Sequence, residues 1–188
     1  SMNIVVQKYG GTSVGNVKKI KSVADRILKS KATGAHMVVV VSAMGHATER
    51  LIGLAKAITR KASRREMDML LSTGEQVSIA LLSMAIQERG AKAISMTGLQ
   101  SGIMTDCNYS MAKIQSIKAD SILSQLRREH VVIVAGFQGV SNGFEITTLG
   151  RGGRSVSPLV EQECERRMKP LLRNTVGFTL IELMLVIL

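Results

Sequence analysis

Lys8-Tyr9-Gly10-Gly11-Thr12-Ser13-Val14-Gly15 is the stretch on which the fold turns. An apolar run, Ile4-Val5-Val6, precedes it and reads as a buried strand. After it, Val17, Ile20, Ala24, Ile27 and Leu28 recur at helical spacing on one face. A strand, a glycine-rich turn and a helix together make an anion site. Glycine lets the backbone come close to a phosphate, and the first helical turn offers unpaired N–H groups at the positive end of its dipole. Lys8 adds a mobile cation at the strand's end. The eight residues match neither a Walker A loop nor GxGxxG, so local pattern alone leaves an ordinary βα turn as the alternative.

Outward from this turn the chain alternates. A strand at 3–8 leads to a helix at 16–30, with Asn16 as N-cap and Thr33-Gly34 as punctuation. Met37–Val41 holds four consecutive valines with no polar alternation, which implies burial on both faces as in a helix-covered parallel sheet. Ser42-Ala43-Met44-Gly45 closes that strand. Helices are expected at 48–60 and 65–89, the second interrupted near Ser72-Thr73-Gly74-Glu75. Extended segments follow at 93–97 and 102–105, then a helix at 116–128 and a buried strand at Val131–Ala135. Gly136-Phe137-Gln138-Gly139 reads as its terminal turn. Asn142-Gly143 signals a hairpin leading to a strand at 145–149. The pattern predicts an α/β fold, a three-layer αβα sandwich around a mostly parallel sheet.

Composition bounds the function. The 188 residues are 45% hydrophobic, enough for one sizeable core, and only 3% aromatic with no Trp. Val, Ile, Leu, Ala and the 11 Met must therefore fill the interior. Two cysteines, Cys107 and Cys164, make neither a disulfide framework nor a metal site, which points to a reducing, cytoplasmic setting. Met2 leads straight into a strand with no secretory leader read there, and Ser1 reads as a cloning remnant. The formal net charge is +11, with 19 basic and 10 acidic side chains in residues 1–150. Nucleic-acid binding is one reading of that excess. The basic clusters lack interleaved aromatics for base stacking, so attraction of anionic small molecules or plain solubility is preferred.

In open parallel sheets, ligands sit beyond the carboxyl ends of the strands. The turns near 8, 41, 135 and 149 would line that edge and gather Lys8, Gly10, Gly11, Ser13, Ser42, Phe137 and Arg151, with Glu75 brought in by a helix. The set is rich in cations, hydroxyls and backbone N–H groups, and poor in general bases. No His-Asp-Ser set and no metal-ligand cluster is read, and His36, His46 and His130 stand isolated.

The segments KYGGTSVG, VVVVSAMG, REMDMLLSTGEQVSIALLSMA, TGLQSGIMTD, VVIVAGFQG and EITTLGRGG, in this order, resemble the N-terminal part of an aspartokinase, from Asn3 to Gly153. The resemblance implies transfer of the ATP γ-phosphoryl group to the side-chain carboxylate of L-aspartate, giving 4-phospho-L-aspartate and opening lysine, threonine and methionine biosynthesis. Such transfer relies on positioning and charge neutralisation, and a carboxylate nucleophile is already ionised near neutral pH. By resemblance, Lys8 is the catalytic residue and neutralises charge on the transferring phosphoryl. Tyr9, Gly10, Gly11, Ser13 and Ser42 join it in holding the ATP phosphates. Ser42, Ala43, Thr48, Phe137, Gly152 and Gly153 line the aspartate pocket. Glu75 takes the α-ammonium, and Arg151 clamps a carboxylate. Mg²⁺ is expected to arrive with the nucleotide.

Two departures qualify the likeness. The family pattern GRGGSDT becomes Gly150-Arg151-Gly152-Gly153-Arg154-Ser155, so Arg154 and Ser155 replace its Ser and its lysine-organising Asp. The family's nucleotide-binding half does not follow, which implies a truncated or impaired kinase. It also implies an exposed sheet edge that promotes self-association. The alternative is an inactive kinase-fold protein that binds a ligand or assembles with a partner. Residues 1–153 are read as the kinase-like domain and 154–188 as an unrelated tail. Within that tail, Gly177-Phe178-Thr179-Leu180-Ile181-Glu182-Leu183 onward resembles a type IV pilin N-terminal methylation motif, and it is the one part expected to dock to a membrane or a partner. The eleven residues from Phe178 to Leu188 fall short of the roughly 20 a membrane span needs.

Overall fold

The structure, a computed structural model, describes residues 2–150. Twelve elements are described: β1 (Ile4–Tyr9), α1 (Val17–Lys31), β2 (His36–Val41), α2 (Ala47–Ile58), α3 (Arg64–Gln87), β3 (Ala93–Met96), β4 (Ile103–Thr105), β5 (Ile114–Ile117), α4 (Asp120–Arg127), β6 (Val131–Ala135), β7 (Gln138–Ser141) and β8 (Ile146–Thr148). The expectations placed on Arg151, Gly152, Gly153, Arg154, Ser155 and the pilin-like stretch at 177–188 lie outside the described residues.

The main sheet has the order β1-β2-β6-β3 and is parallel throughout. The valine runs sit at its centre because both their faces are covered. Val39, Val41, Ile133 and Ala135 pack with Ile20, Val23, Ala24 and Ile27 of α1 and Ile79, Leu82 and Ile86 of α3. Val38, Val40, Val132 and Val134 face Ile122 and Leu126 of α4 together with Ile103, Ile114 and Leu149. That alternation is the two-residue period of a strand buried on both sides.

Helix starts follow the capping rules. Asn16 accepts from the Lys19 N–H at 2.9 Å, and Ser63 accepts from the Glu66 N–H at 3.3 Å. α3 is the longest element, and its buried stripe runs Asp68, Ser72, Glu75, Ile79, Leu82, Ile86. The spacing is helical, but the first half of the stripe is polar and only the second half is hydrocarbon.

The structure corrects the sequence reading in three places. First, α3 is continuous through Ser72-Thr73-Gly74-Glu75. The Ser72 and Thr73 hydroxyls donate to the Met69 and Leu70 carbonyls at 2.9 and 2.7 Å, so their polarity is satisfied within the helix. Gly74 is there for close packing and does not break the helix. Second, residues 116–117 belong to β5, and α4 starts only at Asp120. Third, Gln138–Ser141 is a strand, and it helps form a second, mixed sheet of order β5-β4-β7-β8. The β4–β5 and β7–β8 pairs of that sheet are antiparallel, and the latter is the hairpin expected at Asn142-Gly143. One outer layer of the sandwich is therefore a helix plus a small sheet. The main sheet is parallel and buried on both faces, as the valine runs imply.

Candidate active site

The carboxyl ends of β1, β2 and β6 meet the start of α2 and the middle of α3. A pocket of about 250 Å³ opens there, lined by Gly11, Ser42, Ala43, Gly45, Thr48, Glu75 and Phe137. The volume suits a small metabolite better than a drug-sized ligand.

Each wall has a local cause. After β1 the chain turns tightly, with the Ser13 N–H donating to the Gly10 carbonyl at 2.9 Å. The Gly45 N–H donates to the Gly11 carbonyl, also at 2.9 Å, which ties the turn after β1 to the turn after β2. A β-carbon on Gly11 would stand 2.7 Å from the Ala43 carbonyl oxygen, so only glycine fits at that approach. The N–H groups of Gly10, Gly11 and Thr12 make no backbone hydrogen bond among the described residues, which leaves them free to receive an anion. The Lys8 side chain is exposed near the end of β1 and makes no hydrogen bond or ion pair among the described residues. The Tyr9 side chain goes the other way: it packs against the α1–α3 core and its hydroxyl donates to Gln7 Oε1 at 2.9 Å. Only its backbone remains near the turn.

Glu75 is 3% exposed, and its Oε2 has no hydrogen-bond partner among the described residues. Burial pushes its carboxyl up to about 7, partly countered by the backbone amides of Glu75 and Ala43 beside it. Among the described residues no other titratable side chain lines this pocket. A buried, unpartnered carboxylate edge at a pocket wall is a ready acceptor for a ligand cation.

Phe137 also lines the pocket, in a left-handed backbone conformation, φ +63°, which a bulky residue adopts only when its neighbours impose it. Its carbonyl accepts from the Leu149 N–H at 2.9 Å. Next to it Gln138 is buried. Its Nε2 donates to the Ser72 carbonyl at 3.0 Å, and its Oε1 accepts from the Gly98 N–H at 3.3 Å. Among the described residues no group of three His, Cys, Asp or Glu could hold a metal ion.

The structure thus brings Gly11, Ser42, Ala43, Thr48, Glu75 and Phe137 together at one pocket. It places Lys8, Gly10 and Ser13 along the adjoining turn. The sequence reading gave no role to Asp68 or Gln138, which hold the walls. An acidic residue on the stripe that continues through Ile79, Leu82 and Ile86 was the available signal for Asp68.

A glycine-rich βα turn with free amides beside a buried carboxylate, at the carboxyl edge of a parallel sheet, gives this α/β domain a pocket with the polarity to suit a small charged ligand. The model of the amino acid kinase family matches residues 3–155, and the chain belongs to that family. It is 55% identical over 152 residues to aspartokinase 2 of Bacillus subtilis (strain 168), a match covering 81% of this chain and 37% of that protein. The aspartate kinase structure from Synechocystis superposes with a TM-score of 0.67 at 54% identity, covering 81% of this chain and 24% of that one. Escherichia coli aspartokinase III, solved with aspartate and ADP, gives the same TM-score at 24% identity, over 80% of this chain and 44% of that one. That last likeness is one of fold. The chain spans less than two-fifths of the length of the curated relative named here.

Proposed function

We propose that this chain carries the aspartate-binding, phosphate-facing part of an aspartate kinase, an enzyme that moves the γ-phosphoryl group of ATP onto the side-chain carboxylate of L-aspartate. The observation that carries the reading is the buried Glu75 with its unpartnered Oε2, facing a pocket next to a glycine-rich turn. An α-ammonium group is the cation such a carboxylate would accept. It would enter with Ser42 and Thr48 hydroxyls at hand for the ligand's polar ends. The relatives' names support aspartate as the amino acid.

Lys8 and the free amides of Gly10 and Gly11 would hold the phosphates, and Ser13 would add its hydroxyl. ATP supplies the phosphoryl group, with Mg²⁺ accompanying it. The metal would travel with the nucleotide, whose phosphate oxygens are the ligands a Mg²⁺ ion takes. Arg151, Gly152 and Gly153 would complete the carboxylate side of the pocket. Residues 1–153 are taken as one kinase-fold unit and 154–188 as a tail with the pilin-like stretch at its end. The edge strand β1 would support association between copies. The kinase unit would be cytoplasmic and would take no nucleic acid as partner, since several of its basic groups are already paired: Arg65 with Glu145, Arg89 with Asp25, Lys31 with Glu129.

The test is an acyl-phosphate assay with ATP, Mg²⁺ and L-aspartate, trapping the product with hydroxylamine, beside calorimetric titration of L-aspartate alone. Turnover abolished by Lys8→Ala, with aspartate binding abolished by Glu75→Gln, is the expected result. A folded chain that neither binds aspartate nor forms acyl phosphate would overturn the reading.

A further inference from the structure

Asp68 is fully buried near the start of α3, and it accepts four hydrogen bonds. The backbone N–H groups of Ser110 and Thr148 both reach Oδ2 at 2.8 Å. The hydroxyls of Ser110 and Thr148 reach Oδ1 at 3.0 and 2.7 Å. One carboxylate thus fastens α3 to the end of β8 and to the turn between β4 and β5.

Both attachments lead to the pocket. Seven residues beyond Asp68 on the same helix face is Glu75. One residue beyond Thr148 is Leu149, whose N–H donates to the carbonyl of Phe137, another lining residue of the pocket. Ser110 sits at φ +66° and Phe137 at φ +63°, so the two strained residues are held, directly or through Leu149, by the same anchor. The Ser72 carbonyl, one turn from Asp68, adds the Gln138 tie beside it.

We infer that Asp68 is the positioning residue of this site: by clamping β8 to α3 it sets the distance between Glu75 and Phe137 and keeps water away from Glu75. The inference rests on the aspartate-binding reading for its ligand, but not for its geometry. A buried carboxylate that only stabilised the fold would lower the melting temperature and leave Glu75 as it was. A clamp alters the surroundings of Glu75 seven residues away.

The experiment uses the full chain carrying Asp68→Ala, Asp68→Asn or Thr148→Val. Carbon-detected NMR follows the Glu75 carboxyl titration without ligand, calorimetry follows L-aspartate affinity, and circular dichroism follows folding. In Asp68→Ala the Glu75 midpoint is expected to fall by about one unit or more as water enters, and aspartate affinity to fall about tenfold or more. Asn can keep its oxygen on the two backbone N–H groups, with the two hydroxyls turning to accept from its amide. Asp68→Asn should therefore stay within about threefold of wild type in affinity and keep the raised midpoint. Thr148→Val removes one of the four bonds and should shift the midpoint part of the way. If Asp68→Ala does not fold, Thr148→Val decides. An unmoved Glu75 titration in the folded variant would overturn the inference. If the wild-type chain binds no aspartate, the functional reading fails alone, because the Glu75 titration still reports on the clamp.

Discussion

Gly74 lies so close to Ala43 that a β-carbon placed on it would stand 3.0 Å from the Ala43 side chain. This contact brings α3 down onto the turn after β2, and it seats the neighbouring residue, Glu75, at the pocket wall. Leu51 closes the same spot from α2 at 3.5 Å. Gly74→Leu should therefore destabilise the fold by about 1–3 kcal/mol through overpacking. Urea unfolding measures it. Ala43→Gly in the same chain should recover part of the loss, which a Gly74 effect on helix propensity alone would not.

The Glu75 carboxyl, pushed up to about 7 by burial, makes stability depend on pH in a defined window. A folded-state value above the unfolded one means the folded chain holds the proton longer. Stability is therefore full below about 4.5, falls as pH rises toward 7, and levels off above it. The span corresponds to roughly 3 kcal/mol at most. Asp25 and Glu129 are shifted the opposite way, downward, by Arg89 and Lys31, so their effects lie at more acidic pH. Melts of wild type and Glu75→Gln between pH 5 and 7.5 should show the slope only in wild type. A cationic ligand needs Glu75 ionised, so its affinity should rise across the same interval.

Gln138 satisfies two buried backbone groups at once, the Ser72 carbonyl and the Gly98 N–H. Gln138→Leu keeps the bulk and strands both. A loss of about 2–4 kcal/mol is expected, from two unsatisfied buried groups. Hydrogen exchange should locate it, with the Gly98 amide losing protection first.

The Lys8 side chain is exposed and makes no hydrogen bond or ion pair among the described residues. Lys8→Ala should leave stability within about 0.5 kcal/mol of wild type. If Lys8 neutralises phosphoryl charge, acyl-phosphate formation should fall by about 100-fold or more. The pair of measurements separates a chemical role from a structural one.

The parts of the fold that the sequence announces are those where one physical effect dominates. Val38–Val41 and Val131–Ala135 have no polar alternation, so burial on both faces follows at once. Asn16 caps α1 for the reason its side chain dictates. The second sheet is harder to see, because its strands are three or four residues long and β5 alternates buried ends with two exposed middle positions. Such segments become strands only once partners are in place. The site divides in the same way. Gly11, Ser42 and Glu75 are visible as small residues and a carboxylate in turn and helix contexts. Asp68 and Gln138 depend on contacts between residues tens of positions apart, 80 for the bond from Thr148 to Asp68 and 66 for the bond from Gln138 to Ser72. Ser72 to Glu75, rich in residues that leave helices when exposed, stays helical because Ala43 and Gln138 pack against it.

The sheet order β1-β2-β6-β3 also has a consequence in time. The strand that occupies the place between β2 and β3 is among the last described, Val131–Ala135. As the chain leaves the ribosome, β1 and β2 can pair early, but β3 has no neighbour to join until residue 135 has emerged. Until then the nascent chain must carry a half-built sheet with Val38 and Val40 uncovered. Contacts of this long sequence separation close slowly, and they leave apolar edges open to other chains meanwhile. The yield of folded protein should therefore respond to translation speed and chaperone supply more than its final stability would suggest.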